Sequence, residues 1–238
     1  MKVPPFHWWR TVFFLIPAIG VYTTVLGVIS LLSTIVDRHG NTAHRCAQAW
    51  AWLILKTTGV RVTVRGAAPP VDASYIFASN HQSTYDIPVI FASLPHSLRI
   101  IAKASLGRFP FIGWHLKWAG HLLLQRDERG AAVLKKMQMM ISDQASLIIF
   151  PEGTRSVDGA VGSFKGGVFL MAIDSGLPVV PLSVSGTRHV MLRGRLRTRP
   201  GDVTLTIHPP IPTAGMTRAD ARALSENVRT IIEGDVAS

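Results

Sequence analysis

The first three dozen residues and the rest of the chain are patterned differently. From Thr11 to Val36 no side chain carries a charge. As a helix this stretch would be about 39 Å long at roughly 1.5 Å per residue, against a bilayer core of about 30 Å. Pro17 lies within it and predicts a kink, and Gly20 and Gly27 lower its helix propensity. Two placements are open: a tilted helix spanning the bilayer, and a kinked helix dipping into one leaflet. A buried core helix and a cleaved signal peptide compete with these. The length of the run and the lack of a small-x-small cleavage site argue against the signal peptide. A second helix is predicted over Thr42–Thr58. From Ala49 to Leu55 it is apolar on nearly every side, too short to span a bilayer, and suited to packing on the first helix or lying in the interface. Trp8, Trp9, Trp50 and Trp52 flank or belong to these helices, where an indole suits either the headgroup level or a core. Trp114 and Trp118 are spaced to share a helical face.

After Gly59 short β-rich runs alternate with helical runs, the pattern of an α/β domain with a largely parallel sheet. Strands are predicted at Arg61–Arg65, Tyr75–Ser79, Arg99–Ala102, Leu122–Leu124, Leu147–Phe150, Val179–Val184 and Val203–Ile207. Helices are predicted at Thr84–Ala92, Phe111–Ala119, Glu128–Ser142, Gly166–Ser175 and Arg218–Glu233. The expected fold is α/β: a mostly parallel central sheet flanked by helices, preceded by an N-terminal two-helix membrane-anchoring motif. The division falls between a membrane-associated segment, 1–58, and one globular domain, 59–238.

Composition narrows the partners. The 238 residues carry a formal net charge of +11 and a mean hydropathy of +0.28. The charge favours an anionic partner: nucleic acid, acidic lipid or a phosphorylated substrate. Nucleic-acid binding predicts exposed basic helices with few long apolar runs, and this chain has the reverse. The single cysteine, Cys46, excludes an intrachain disulfide and reads as a buried structural thiol.

Two segments carry chemistry. In Asn80-His81-Gln82-Ser83-Thr84-Tyr85-Asp86 an apolar strand ends at Ser79, and His81 falls at the strand's carboxyl end, where open α/β sheets place ligands. Asp86, about one turn into the next helix, is placed to accept the Nδ1–H of His81 and leave Nε2 as a base. The same residues also fit a capping box, Ser83-x-x-Asp86, with no catalytic task. In Phe150-Pro151-Glu152-Gly153-Thr154-Arg155-Ser156 a second apolar strand runs into a turn shaped by Pro151 and Gly153. Arg155 can bind phosphate oxygens bidentately, with Thr154, Ser156 and backbone N–H groups as further donors. A solvated loop holding a Glu152–Arg155 pair is the plainer alternative.

These segments resemble the glycerolipid acyltransferases, in particular the bacterial 1-acylglycerol-3-phosphate acyltransferases. Asn80 to Asp86 looks like the family's H-x4-D block, Lys103 to Gly113 like its second block, and Phe150 to Ser156 like its third. Gln125-Arg126, Phe164-Lys165-Gly166-Gly167 and Val179-Val180-Pro181-Leu182 resemble the remaining landmarks. One departure is Gln125, where the family often carries an acidic residue.

The resemblance implies direct transfer of a fatty acyl group from acyl-CoA or acyl-acyl carrier protein to the sn-2 hydroxyl of 1-acylglycerol-3-phosphate, giving phosphatidic acid. His81 would be the base and Asp86 its orienting carboxylate. Arg126, Glu152 and Arg155, with Gly153 and Thr154 in the same turn, would hold the glycerol phosphate, Glu152 by orienting a donor or the glycerol. The oxyanion donor stays open between backbone N–H groups and Lys103. The residues agree with direct transfer, since the chain has no G-x-S-x-G nucleophile elbow. No metal or cofactor is called for. The expected partners are the lysophospholipid, the acyl thioester, the bilayer and, for one donor, acyl carrier protein. The expected location is the bacterial inner membrane with the active site facing the cytoplasm. Other lyso-acceptors, such as a lyso-ornithine lipid or lysophosphatidylethanolamine, and a non-catalytic lipid-binding protein of the same fold are the competing readings. Arg188, Arg193, Arg195, Arg197 and Arg199 form a further basic cluster, read either as a solvated loop or as a contact for anionic headgroups or donor phosphates.

Overall fold

A computed structural model describes residues 5–33, 37, 41–103, 107–108, 121–124, 145–195 and 197–236. The helices predicted at Phe111–Ala119 and Glu128–Ser142, with Trp114, Trp118 and Arg126, lie outside these residues.

The charge-free stretch is helical, as α1, Phe6–Ser33. Thr11–Leu15 within it is wound as a π-helix immediately ahead of Pro17. Proline has no N–H to donate to the carbonyl four residues back, and its ring crowds that carbonyl; a wider turn accommodates both. Helix α2, Asn41–Thr58, follows. Among the described residues α1 is the one helix long and apolar enough to cross a membrane. It exposes Phe6, Phe13, Phe14, Val21 and Leu32.

The base of α1 is tied to the rest of the protein. Leu15 is buried, the Arg10 guanidinium donates to the Thr58 carbonyl at 2.9 Å, and Thr11 Oγ1 accepts the Thr198 N–H at 2.9 Å. Helix α2 packs on α1, as its sequence allowed, and also enters the domain core. Trp50 Nε1 donates to Thr23 of α1 at 2.8 Å, Trp52 is exposed, and Ala51, Ile54 and Leu55 enter the core of the domain. Cys46 is buried there, its thiol pushed up by burial and so chemically quiet.

Seven described strands form one sheet: β1 Val60–Gly66, β2 Ile76–Ser79, β3 Leu98–Lys103, β4 Leu122–Leu124, β5 Ser146–Ile149, β6 Val179–Ser185 and β7 Gly201–Ile207. Their order is β1-β7-β6-β2-β5-β3-β4. Every neighbouring pair is parallel except β6–β7. The predicted strands match these to within two residues at each end.

The remaining described α-helices are α3 Asp86–Ser93, α4 Gly166–Ser175, the single turn α5 Thr187–Val190, and α6 Ala221–Val236. They cover both faces of the sheet. Along β2 and β5 successive side chains point to opposite sides. Phe77 and Ile148 join α2 and α3, with Val89, Ile90 and Phe91. Ile76, Ala78, Leu147 and Ile149 join α4 and α6. The α6 contribution, Ala221, Leu224, Val228 and Ile232, has the three- and four-residue spacing of one helical stripe. A strand buried on both faces reads as a continuous apolar run, which is why these strands stood out in the sequence.

Candidate active site

Strands β6, β2 and β5 are adjacent and parallel, so their carboxyl ends open on one edge. The loop after β2 brings Asn80 and His81, the turn after β5 brings Glu152 to Arg155, and the turn after β6 brings Thr187. Lys103 ends β3 on the same edge.

His81 and Asp86 meet as the sequence predicts. Nδ1 of His81 lies 2.7 Å from Oδ2 of Asp86. The same oxygen accepts the backbone N–H of Gln82 at 2.8 Å and of Ser83 at 2.9 Å. Oδ1 accepts the Thr187 hydroxyl. Three donors thus converge on Oδ2 and one on Oδ1. Asp86 is fully buried, and these four donors are what make a buried negative charge tolerable. Because a carboxylate only accepts, Nδ1 carries the hydrogen, and Nε2 is left as the basic nitrogen. Among the described residues none bonds Nε2. The imidazole, 16% exposed, lies flat on Phe150 with ring centres 4.0 Å apart. Asp86 thus closes the turn into α3 and holds the imidazole of His81 in place.

Glu152 supports the histidine from the other side. Its Oε1 accepts the His81 N–H at 2.8 Å and its Oε2 the Gly162 N–H at 3.0 Å. Burial pushes its carboxyl up, while these two N–H groups pull it back. The Glu152–Arg155 pair considered from the sequence does not form. Arg155 is half-buried and donates to Thr84 Oγ1 at 2.7 Å, beside the first turn of α3. Gly153 has φ +71°, and a β-carbon there would collide with the end of Lys165. Thr154 is exposed at the tip of the turn. The side chain of Lys103 and all of Arg126 are outside the description.

Three contributors were not visible in the sequence. Asn80 is a two-way clamp: its Nδ2 donates to the Val184 carbonyl and its Oδ1 accepts the Val184 N–H, both at 2.8 Å. Phe150 is the platform under the imidazole. Thr187 orients Asp86 from a turn made by Gly186, whose φ of +88° and contact with the Asp202 carbonyl admit no side chain. The signal available for Thr187 was a small polar residue after a glycine at a strand's carboxyl end, where the other site residues also sit.

The arrangement is a base with an oriented partner beside a guanidinium, open at a sheet edge. The comparisons with known proteins bear on its chemistry. A family model described as Acyltransferase matches residues 61–185, more than half of the chain. The chain belongs to the acyltransferase family. The region this acyltransferase family model covers runs from β1 through β6 and includes His81, Asp86, Glu152 and Arg155. The chain is 33% identical over 212 residues to a chloroplastic 1-acyl-sn-glycerol-3-phosphate acyltransferase of Arabidopsis thaliana, covering 85% of this chain and 59% of that one. It is 33% identical over 175 residues to the human 1-acyl-sn-glycerol-3-phosphate acyltransferase alpha, covering 72% and 62%. The chain thus spans roughly half to three-fifths of the curated relatives it matches. The crystal structure of the 1-acyl-sn-glycerophosphate acyltransferase PlsC from Thermotoga maritima is similar with a TM-score of 0.76 and 27% identity, over 92% of this chain and 94% of that one.

Proposed function

We propose that the protein transfers a fatty acyl group from a thioester to the sn-2 hydroxyl of 1-acylglycerol-3-phosphate, giving phosphatidic acid. The observation that carries this reading is the oriented His81, its Nδ1 held by the buried, four-donor Asp86 and its Nε2 unbonded among the described residues. The relatives named for this reaction support it.

In the mechanism, Nε2 of His81 takes the hydroxyl proton as the oxygen attacks the thioester carbonyl. An alcohol is far too weak an acid to ionise first, so transfer and attack are concerted. The new C–O bond gives a tetrahedral oxyanion, and Asp86 balances the imidazolium. Collapse breaks the C–S bond, and the imidazolium returns its proton to the departing thiolate. Arg155, with Arg126, holds the acceptor phosphate; Glu152 fixes the loop of His81 and, in this proposal, faces the glycerol. Lys103 or backbone N–H groups stabilise the oxyanion. The exposed apolar residues of α1 support a location at a bilayer, read here as the bacterial inner membrane with the site toward the cytoplasm, where acyl-CoA and acyl carrier protein are found.

The test is the purified protein with acyl-CoA and acyl-acyl carrier protein against a panel of lyso-acceptors. Lysophosphatidic acid should give the highest kcat/KM, and His81→Ala should lose at least ~10²-fold. A better acceptor lacking the phosphate monoester would overturn the substrate assignment. Full turnover by His81→Ala would overturn the mechanism.

A further inference from the structure

Beside the candidate active site, the base of α1 and the loop after β6 enclose a cavity of about 660 Å³. Trp8, Arg188, His189, Arg195, Arg197 and Arg199 supply most of its lining, which among the described residues includes no Asp or Glu. Among the described residues no carboxylate lies within ion-pair distance of any of these four arginines. Guanidiniums gathered around one hollow repel each other, and an anion between them relieves that repulsion. Arginine forks match phosphate oxygens bidentately. The volume falls in the range of small-molecule sites, well above what a bare phosphate fills, and the Trp8 indole offers an apolar wall to an organic part.

The cavity wall is braced against the catalytic turns. Arg188 Nη2 donates to the Val157 carbonyl at 2.8 Å, Arg193 Nη1 donates to the Arg155 carbonyl at 2.8 Å, and the Ser83 hydroxyl donates to the Met191 carbonyl at 2.8 Å. On the opposite side Thr198 is bonded to Thr11 of α1.

We infer that this cavity is a second phosphate-ester site, separate from the Arg155 turn. Two occupants share that chemistry: the phosphorylated nucleotide end of coenzyme A, and an anionic lipid headgroup at the foot of α1. The site requires neither turnover nor the acceptor assignment, so binding alone tests it.

The test uses the full chain with Arg195, Arg197 and Arg199 all changed to Gln. Arg188 and Arg193 are kept because they brace the catalytic turns. A charge-matched control changes Arg45, Arg65 and Arg222, which are exposed elsewhere, to Gln. One arm measures calorimetric binding of desulfo-coenzyme A. The other measures co-sedimentation with vesicles of phosphatidylcholine with or without phosphatidylglycerol. The cavity variant should bind at least tenfold more weakly on one arm, with the control within threefold of the parent. Loss on the nucleotide arm assigns the site to the donor, and loss on the vesicle arm assigns it to a headgroup. Unchanged binding on both arms, or an equal loss in the control, overturns the inference. Should the triple variant melt early, Arg195→Gln alone should still weaken binding at least threefold, and no weakening there overturns it too.

Discussion

Asp86→Asn separates the two tasks that this carboxylate combines. The amide is isosteric. With its oxygen at the Oδ2 position it keeps the three donors that converge there, from His81, Gln82 and Ser83. Its NH2 then faces the Thr187 hydroxyl, which can turn to accept. The turn into α3 and the imidazole tautomer therefore survive. What is lost is the negative charge opposite the imidazolium. With the charge centres roughly 4 Å apart and an effective dielectric of about 20, that interaction is worth about 4 kcal/mol. It matters only once the imidazole has taken the proton, so it should appear in kcat as a ~10³-fold loss with acceptor KM within about threefold. Stability should change less. Three bonds to a carboxylate become bonds to an amide at a cost of about 1 kcal/mol each, offset by no longer burying a charge. A net loss of about 1–2 kcal/mol would lower Tm by several degrees. The assays are steady-state kinetics with lysophosphatidic acid and a thermal melt. A variant that melts in this range but keeps more than a tenth of the parent kcat would show that Asp86 only caps the helix.

Two further outcomes follow from neighbouring contacts. Thr187→Val keeps the shape but removes the donor to Asp86 Oδ1, so it should lower stability by about 1.5–3 kcal/mol and kcat by less than Asp86→Asn does; urea unfolding that matches the parent would show that three donors suffice. His44 is buried, accepts the Leu98 N–H at 3.3 Å, and is held down to about 4 by burial, with Arg99 and His96 adding to the effect. Between about pH 6.5 and pH 4 the unfolded chain binds a proton there that the folded protein refuses, so stability should fall as pH falls, by on the order of 2–3 kcal/mol. Burial shifts His96 the same way. His44→Gln should remove much of that slope in denaturant titrations at pH 7 and 4.5, and an unchanged slope refutes the assignment.

What could be read from the sequence was whatever acts over a few residues. His81 and Asp86 are five apart and share one turn, so their contact needed no knowledge of the sheet. The strands β2, β5 and β6 were legible because both of their faces are covered, leaving unbroken apolar runs between turn residues. Thr187 reaches Asp86 across 101 residues and Asn80 reaches Val184 across 104. Nothing in a linear pattern pairs such positions until the strand order is known. The antiparallel step between β6 and β7 was hidden for the same reason. Helix α3 starts at Asp86, two residues later than predicted at Thr84, because the Asp86 carboxylate reaches back to the Ser83 N–H and holds Thr84 and Tyr85 in a turn. The family resemblance implied that Glu152 orients a donor or the glycerol, and its structural task was not legible beside that. In the fold both its oxygens are taken up by the backbone of two loops.

The three adjacent strands that supply His81, Glu152 and Thr187 come from stretches that the ribosome finishes at very different times. Until β6 has taken its place, the imidazole has neither its full carboxylate setting nor the Asn80 clamp that fastens its loop. On the proposed function, a nascent or half-assembled chain should transfer acyl groups more slowly, and a chain broken anywhere between His81 and Thr187 should regain its full rate only if its pieces reassociate into one sheet.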